Sequence, residues 1–419
     1  MTETKDILIR ARTAKERMSA LTAEQLRYAL VKIADEIDRA ASTIIEANKL
    51  DCEAAKESIS SVMIDRLRLN EARIKDMAEG VRSITNLPCP IGRILDSRVR
   101  PNGLRIERVA VPIGVIAIIY ESRPNVTSDA AALAIGSGNT VILRSGKEAY
   151  RSAKAIVDAI RRALSDTDLP EDAVQLVEDT TRQSATELME AVGYVDMLIP
   201  RGGAGLIRAC VEKAKVPVLE TGTGICHIYV DGKADQDMAI KVLTNAKTSR
   251  PSVCNACEVT LISRDIAAEF LPKLRQALVT DRIEAGLTPV ELRLCPEAMR
   301  VIDGIPAGDN DFDTEFLDYT LGVKVVGDVE EAIEHIARHS THHSESIITA
   351  DGDAADRFMA RVDSACVYHN ASTRFTDGGE FGLGCEMGIA TCKVHARGPL
   401  GLAELTTYKY KIYGEGQIR

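Results

Sequence analysis

Among the ten cysteines of this chain, Cys254 has the setting best suited to nucleophilic chemistry. It stands in Arg250-Pro-Ser-Val-Cys-Asn-Ala-Cys-Glu258, between a helical pattern and a strand pattern. A thiol at such a junction can reach solvent and lie near a helix end, and the thiolate is the form that attacks an acyl carbon. A cysteine chosen blind is far more often a small buried hydrophobe, so the local motif must overturn that reading. Cys254 and Cys257 also form a CxxC, a spacing used in redox pairs and zinc sites. No second pair stands at metal-ligand spacing and no thioredoxin-type pattern surrounds this one, so no metal is expected. His335, His339, His342 and His343 crowd the end of a helical segment. Positions 335 and 339 share a face, but a zinc site wants a third placed ligand, and a solvated helix end is the expected reading. His343 opens a strand and is kept as a candidate pocket residue.

Three further stretches have the composition of anion or ligand contacts. Gly202-Gly203-Ala204-Gly205 follows a strand and opens a helix, with Arg201 beside it. Backbone N–H groups at a helix N-terminus suit a phosphate, although the stretch departs from G-x-G-x-x-G and also fits a plain tight turn. Arg144-Ser145-Gly146-Lys147 follows another strand and offers a basic hold on a cofactor phosphate, or a solvated turn. Glu220-Thr-Gly-Thr-Gly224 puts a carboxylate at a strand's carboxyl end, where open α/β sheets bind ligands.

The elements that would position these residues follow from periodicity. The first ~90 residues read as helices, notably 25–47 and 72–84, closed by the prolines of 86–92. A hairpin is expected from 96–100 and 104–109 about Pro101-Asn102-Gly103, and its charged arms suggest a ribbon for subunit contact. Strands at 114–120, 140–143, 174–177, 195–199 and 216–220 then alternate with helices. A second alternating series has strands at 226–230, 258–262, 323–326, 345–349 and 365–369, a glycine-rich loop at 378–388 and a late strand within 405–413. Alternation of this kind is the signature of parallel sheets covered by crossover helices.

At 419 residues the chain exceeds one ordinary core, so at least two domains are expected. Lys plus Arg is 52 against 62 Asp plus Glu, a net charge of −10, which argues against nucleic acid as a partner. The charged start Met1–Arg17 lacks an apolar leader core, and no run reaches the ~18 apolar residues of a membrane span. Reduced thiols in a cytoplasmic setting are the expectation.

Taken in order, several segments resemble the gamma-glutamyl phosphate reductase family. They are Val111–Val115, Tyr120-Glu-Ser-Arg-Pro-Asn-Val-Thr127, Gly138–Lys147, Pro200–Gly203, Glu220–Gly224, Arg250–Ala256 and Asn370-Ala-Ser-Thr-Arg-Phe-Thr-Asp-Gly-Gly-Glu-Phe-Gly-Leu-Gly384. The likeness runs essentially end to end, and more remotely the chain resembles the aldehyde dehydrogenase superfamily. It implies an α/β, aldehyde dehydrogenase-like fold: two Rossmann-like parallel-sheet domains plus a small oligomerisation ribbon. The implied division is 1–95 and 111–224 for cofactor, 225–395 for catalysis, and 96–110 with 396–419 for the ribbon. The implied reaction is NADPH-dependent reduction of L-glutamyl 5-phosphate to L-glutamate 5-semialdehyde in proline biosynthesis, by a homo-oligomer. Cys254 becomes the nucleophile, Asn125 an oxyanion donor, and Glu220 the counterpart of the superfamily's glutamate. Arg144, Ser145, Lys147, Arg201, Gly202, Gly203 and Glu315 become cofactor contacts, with Glu315 on the nicotinamide ribose. Arg123, Arg250 and His343 are left as candidates for the substrate and its phosphate. Cys257, where a small or aliphatic residue is expected, either alters only the local packing or suggests a resolving thiol under oxidation. A phosphate-independent aldehyde dehydrogenase and an inactive nucleotide-binding scaffold stay open as alternatives.

Overall fold

The apolar runs fold as two separate parallel sheets, one in each of two units of the chain. The structure, a computed structural model, describes residues 3–59 and 61–419, apart from the side chains of 61 and 62. The first unit comprises the chain up to Thr221 with Gly382–Gly388 and Cys392–Arg419; the second comprises Gly222–Phe381 with Ile389–Thr391.

The first unit begins with helices α1 (Thr4–Met18), α2 (Ala23–Arg39), α3 (Ala41–Ala55), α4 (Ser61–Leu67) and α5 (Glu71–Thr85). Thr22 and Gln25 form a capping box that starts α2. The single helix expected over 25–47 is two, because Ala40 leaves helical geometry with ψ near 4°. No glycine or proline marks that break. It lets α2 and α3 each present an apolar side, with Ile33, Ile37 and Ile44 all fully buried.

Strands β1 (Ile94–Val99) and β2 (Arg105–Pro112) form the expected hairpin, with Gly103 at φ +85° in its turn. The late strand Thr406–Tyr413 pairs antiparallel with β2, which completes a three-stranded ribbon. Strands β3 (Val115–Tyr120), β4 (Thr140–Ser145), β5 (Val174–Leu176) and β6 (Met197–Arg201) make a parallel sheet in the order β5-β4-β3-β6. β3 and β4 are buried along their whole length: β3 is an unbroken apolar run, and β4 buries Thr140, Arg144 and Ser145 beside its apolar residues. Helices α6 (Asn125–Gly136), α7 (Tyr150–Ser165), α8 (Arg182–Met189) and α9 (Ala204–Lys213) belong to the same unit. The strand order reverses at β3, so the carboxyl ends of β3 and β6 flank a topological switch point, where open α/β sheets take their ligands. The strand expected over 216–220 is only a single bridge between Leu198 and Val218. Pro217 has no N–H to donate to a ladder.

The second unit holds seven parallel strands, β7 (Cys226–Val230), β8 (Cys257–Ser263), β9 (Glu291–Leu294), β10 (Ile305–Pro306), β11 (Thr320–Val326), β12 (Ser344–Ile348) and β13 (Cys366–His369), in the order β10-β9-β11-β8-β7-β12-β13. Its helices are α10 (Gln236–Thr248), α11 (Arg264–Arg275), α12 (Asp281–Glu284), α13 (Val329–His339) and α14 (Gly352–Arg361). One apolar cluster is built on Phe270, Leu274 and Val323, another on Tyr229, Leu261 and Phe358. β9 and β10 went unforeseen because they are short and carry Glu291, Arg293 and Pro306.

Candidate active site

Cys254 lies in the stretch that joins α10 to β8. Asp235 caps the start of α10 by accepting the Met238 N–H at 3.0 Å, and the helix ends before Ser249. The Ala256 N–H then donates to the Val253 carbonyl at 3.0 Å, so Cys254 and Asn255 form the middle of a turn. Of the five cysteines in this unit only Cys254 is half-buried; Cys226, Cys257, Cys295 and Cys366 are buried. The helix end nearest Cys254 along the chain is the carboxyl end of α10. Its partial charge is negative, so this end offers a thiolate no support, contrary to what the sequence suggested. The expected second thiol is also corrected. Cys257 is fully buried, its Sγ directed at the Val259 carbonyl at 3.3 Å, and burial pushes its thiol well above the usual range. It is a packing residue of β8.

The turn is held from several sides. The Cys226 thiol donates to the Cys254 carbonyl at 3.1 Å. A Cβ on Gly224 would overlap that carbonyl oxygen, so only glycine fits there. One carboxylate oxygen of Glu315 accepts the Gly224 N–H at 2.8 Å, which ties this expected cofactor residue to the nucleophile's surroundings. Asn255 Nδ2 donates to the carbonyls of Thr376 at 2.8 Å and Arg374 at 3.3 Å, and Thr373 Oγ1 donates to the Asn255 carbonyl at 2.7 Å. The Arg374 guanidinium donates to Asn255 Oδ1 and to Ser249 Oγ. Lys247 and Glu258, which bracket the stretch, form a fully buried ion pair at 2.7 Å. Burial raises the Glu258 carboxyl to about 7 against the pull of Lys247. Its other oxygen accepts the Leu317 N–H at 3.2 Å.

Arg250 is exposed, as a substrate contact requires. His343 is not: its side chain is wholly buried, with Nδ1 2.8 Å from Ser344 Oγ and 3.6 Å from Cys226 Sγ. The ring packs behind the cysteine stretch and is withdrawn as a phosphate contact. His335 is likewise no solvated helix end. It is buried between His339 and Phe312, and burial together with His227 and Lys324 pushes its ring down to about 2, so it stays neutral.

In the first unit the candidates gather at the carboxyl ends of β4 and β6 and after β3. Arg144 is the exception. Its guanidinium is buried and donates to the carbonyls of Thr180 at 2.6 Å and Thr181 at 2.8 Å and to Ser184 Oγ at 3.4 Å. Those carbonyls take the place of a cofactor phosphate, and burial lowers its pKa. Lys147, two residues past β4, is exposed. Ser145 Oγ and Arg201 Nε are buried without a hydrogen-bond partner among the described residues. Orphaned polar atoms at a switch-point edge, beside the exposed Gly202 and Gly203, fit the phosphates and hydroxyls of a dinucleotide. Gly203 caps α9, and Glu121 Oε2 already accepts its N–H at 3.0 Å. The half-buried Arg123 accepts the Val126 N–H on its carbonyl at the start of α6. Asn125, exposed in the first turn of α6, donates to Asp129 at 3.1 Å. Loss of solvent pushes the Asp129 carboxyl up to about 7, against Asn125 and the charge of Arg201. Glu220 is half-buried, and its carbonyl accepts from Cys392 Sγ at 3.6 Å.

Sequence reasoning did not single out Arg374, Asp129 or Glu121. Arg374 and Glu121 stand inside family-like segments and Asp129 just past one, but only folding shows what each touches.

A half-buried thiol turn leading into a strand of one parallel sheet, and a polar switch point on a second parallel sheet, suit a dehydrogenase. The aldehyde dehydrogenase family model matches residues 2–296, and the chain belongs to the aldehyde dehydrogenase family. Members of that family work with nicotinamide cofactors. Within it, the chain is similar from end to end to gamma-glutamyl phosphate reductases. That of Neisseria meningitidis serogroup C is 58% identical over 419 residues, covering 100% of both chains. That of Streptococcus sanguinis is 56% identical over the same span. The crystal structure of the Thermotoga maritima gamma-glutamyl phosphate reductase superposes with a TM-score of 0.94 at 47% identity, covering 100% of each chain. An acetylating aldehyde dehydrogenase from Geobacillus thermoglucosidasius shares the fold at a TM-score of 0.74 and 16% identity, covering 100% of this chain and 97% of that one. No helix among the described residues is long and apolar enough to cross a membrane.

Proposed function

We propose that this chain reduces L-glutamyl 5-phosphate to L-glutamate 5-semialdehyde, with release of phosphate and with NADPH as reductant, in the proline biosynthesis of the cytoplasm. The observation that carries the reading is Cys254, the solvent-reaching cysteine of the second unit, held in a turn that Gly224, Asn255 and Arg374 fix in place.

The Cys254 thiolate attacks the acyl carbon, the bond to the phosphate oxygen breaks, and a thioester remains on Sγ. A nicotinamide dinucleotide, when bound, would supply the hydride for reduction of this thioester. The resulting thiohemiacetal collapses, which returns the sulfur as thiolate and frees the aldehyde. The oxyanion of each tetrahedral stage needs preorganised donors. The backbone N–H of Cys254 is one candidate and Asn125 remains the other. Arg250 or Arg123 receives the departing phosphate. Lys147, Ser145, Arg201, Gly202 and Gly203 of the first unit would hold the dinucleotide, and Glu315 would address the nicotinamide ribose. Glu220 orients groups here, since water activation would waste the thioester. In this reading the first unit holds cofactor, the second performs catalysis, and the ribbon joins subunits into a homo-oligomer.

The test runs the reaction backwards. With glutamate semialdehyde, NADP reduction is expected only when inorganic phosphate is present, and Cys254→Ser is expected to abolish it. Phosphate-independent oxidation, or normal turnover by the serine variant, overturns the proposal.

A further inference from the structure

We propose that Arg374 is the positioning residue that keeps Cys254 ionised, supplying a positive charge that the helix end preceding the nucleophile does not. The inference rests on the thioester reading above and assigns a role to a residue outside it. Four observations carry it. The helix that ends nearest the sulfur along the chain presents its negative pole, so thiolate stabilisation has to come from elsewhere. The buried thiols nearby do not supply it: Cys226 donates to the Cys254 carbonyl and Cys257 faces the Val259 carbonyl. Arg250 is exposed, where solvent and salt screen its charge, whereas Arg374 is half-buried.

The fourth observation is geometric. One guanidinium joins residues that precede and follow Cys254 in the chain, donating to Ser249 Oγ at 3.1 Å and to Asn255 Oδ1. The backbone of Arg374 is fixed in turn by Asn255 Nδ2, which donates to its carbonyl, and by Ser372 Oγ, which accepts its N–H at 3.3 Å. The cation therefore cannot swing away from the cysteine turn. Burial and the like charge of Arg250 disfavour the charged form of Arg374, while Asp377, Cys254 and Cys226 favour it. An arginine stays protonated under such a penalty where a lysine would release its proton more readily. The attraction is mutual: whatever Cys254 contributes to the guanidinium, the guanidinium contributes to the thiolate.

The experiment measures thiolate directly, apart from turnover. The full chain and its Arg374→Met, Arg374→Gln and Arg374→Lys variants are alkylated with iodoacetamide across a pH series, and labelling of the Cys254 peptide is followed by mass spectrometry. Arg374→Met is expected to raise the midpoint of labelling by about one pH unit, a roughly tenfold loss of thiolate at neutral pH. Arg374→Gln retains donors for Ser249 or Asn255 without the charge, and is expected to show the same rise. It also decides the matter should Arg374→Met fail to fold. Arg374→Lys is expected to restore most of the shift. In turnover, the two uncharged variants should lose kcat while KM for NADPH stays unchanged. A labelling midpoint that does not move in the uncharged variants overturns the proposal, even if their activity falls. The thioester reading fails by a different sign, which is activity that survives Cys254→Ser.

Discussion

At the scale of single residues, the site separates side chains that face solvent from those the fold has already committed. Arg144 lies within β4 near its carboxyl end and Lys147 stands just past it, yet only Lys147 is exposed. Arg144→Ala would orphan the carbonyls of Thr180 and Thr181, and is expected to lower stability by about 1.5–3 kcal/mol in denaturant unfolding. KM for NADPH should change little. Lys147→Ala should instead raise KM for NADPH more than for NADH, if its ammonium meets the additional phosphate. Asp129 gives a pH signature. Its carboxyl titrates near 3.8 when unfolded and at about 7 when folded, so the native state binds the extra proton in between. Its contribution is fully favourable below the lower value and is lost as pH rises through the higher one. Asp129→Asn should therefore be more stable than the parent above pH 7, by on the order of 1–3 kcal/mol after discounting for partial solvent contact. The difference should shrink as pH falls towards 4. Equal unfolding midpoints across that range would refute it. Cys254 was legible in the sequence because its motif is local. Arg374 was not, since it meets Asn255 from 119 positions away. Arg144 was misread because strand-end position does not tell which way a side chain turns.

At the scale of elements, the nucleophile stretch is anchored where α10 ends and β8 begins. Lys247 and Glu258, both fully buried, tie those two ends together. Lys247→Met should leave the Glu258 carboxyl without its counter-charge and cost about 3–5 kcal/mol. The double change Lys247→Met with Glu258→Leu should recover most of that loss, as chemical denaturation of the two variants would show. A single variant as stable as the parent would mean that the pair does not hold the stretch. The long strands and helices were legible from periodicity, including the hairpin and the late strand. What escaped were β9 and β10, too short and too polar to signal, and the break at Ala40, which has no sequence marker. The strand expected over 216–220 failed because Pro217 cannot complete a ladder.

At the scale of the whole molecule, the proposed homo-oligomer would form through the exposed ribbon. Val99, Tyr408, Tyr410, Ile412 and Tyr413 are all exposed on it. A sheet edge with apolar side chains seldom stays free in solution. Tyr410→Asp together with Ile412→Asp should shift the particle to a smaller species in sedimentation, with the far-ultraviolet dichroism retained. An unchanged sedimentation coefficient would argue that assembly uses another surface.

The path of the chain also sets an order of events during synthesis. The ribosome completes residues 222–381, an insertion with its own seven-stranded sheet, before it reaches Thr406–Tyr413. Nascent chains gain structure a domain at a time and in the order of emergence. The second unit can thus mature while β2 still lacks the neighbour that closes the ribbon. If the ribbon joins subunits as proposed, partner recruitment is deferred to the last moments of translation, and a message truncated shortly before codon 406 should yield a folded insertion carried on a chain unable to associate.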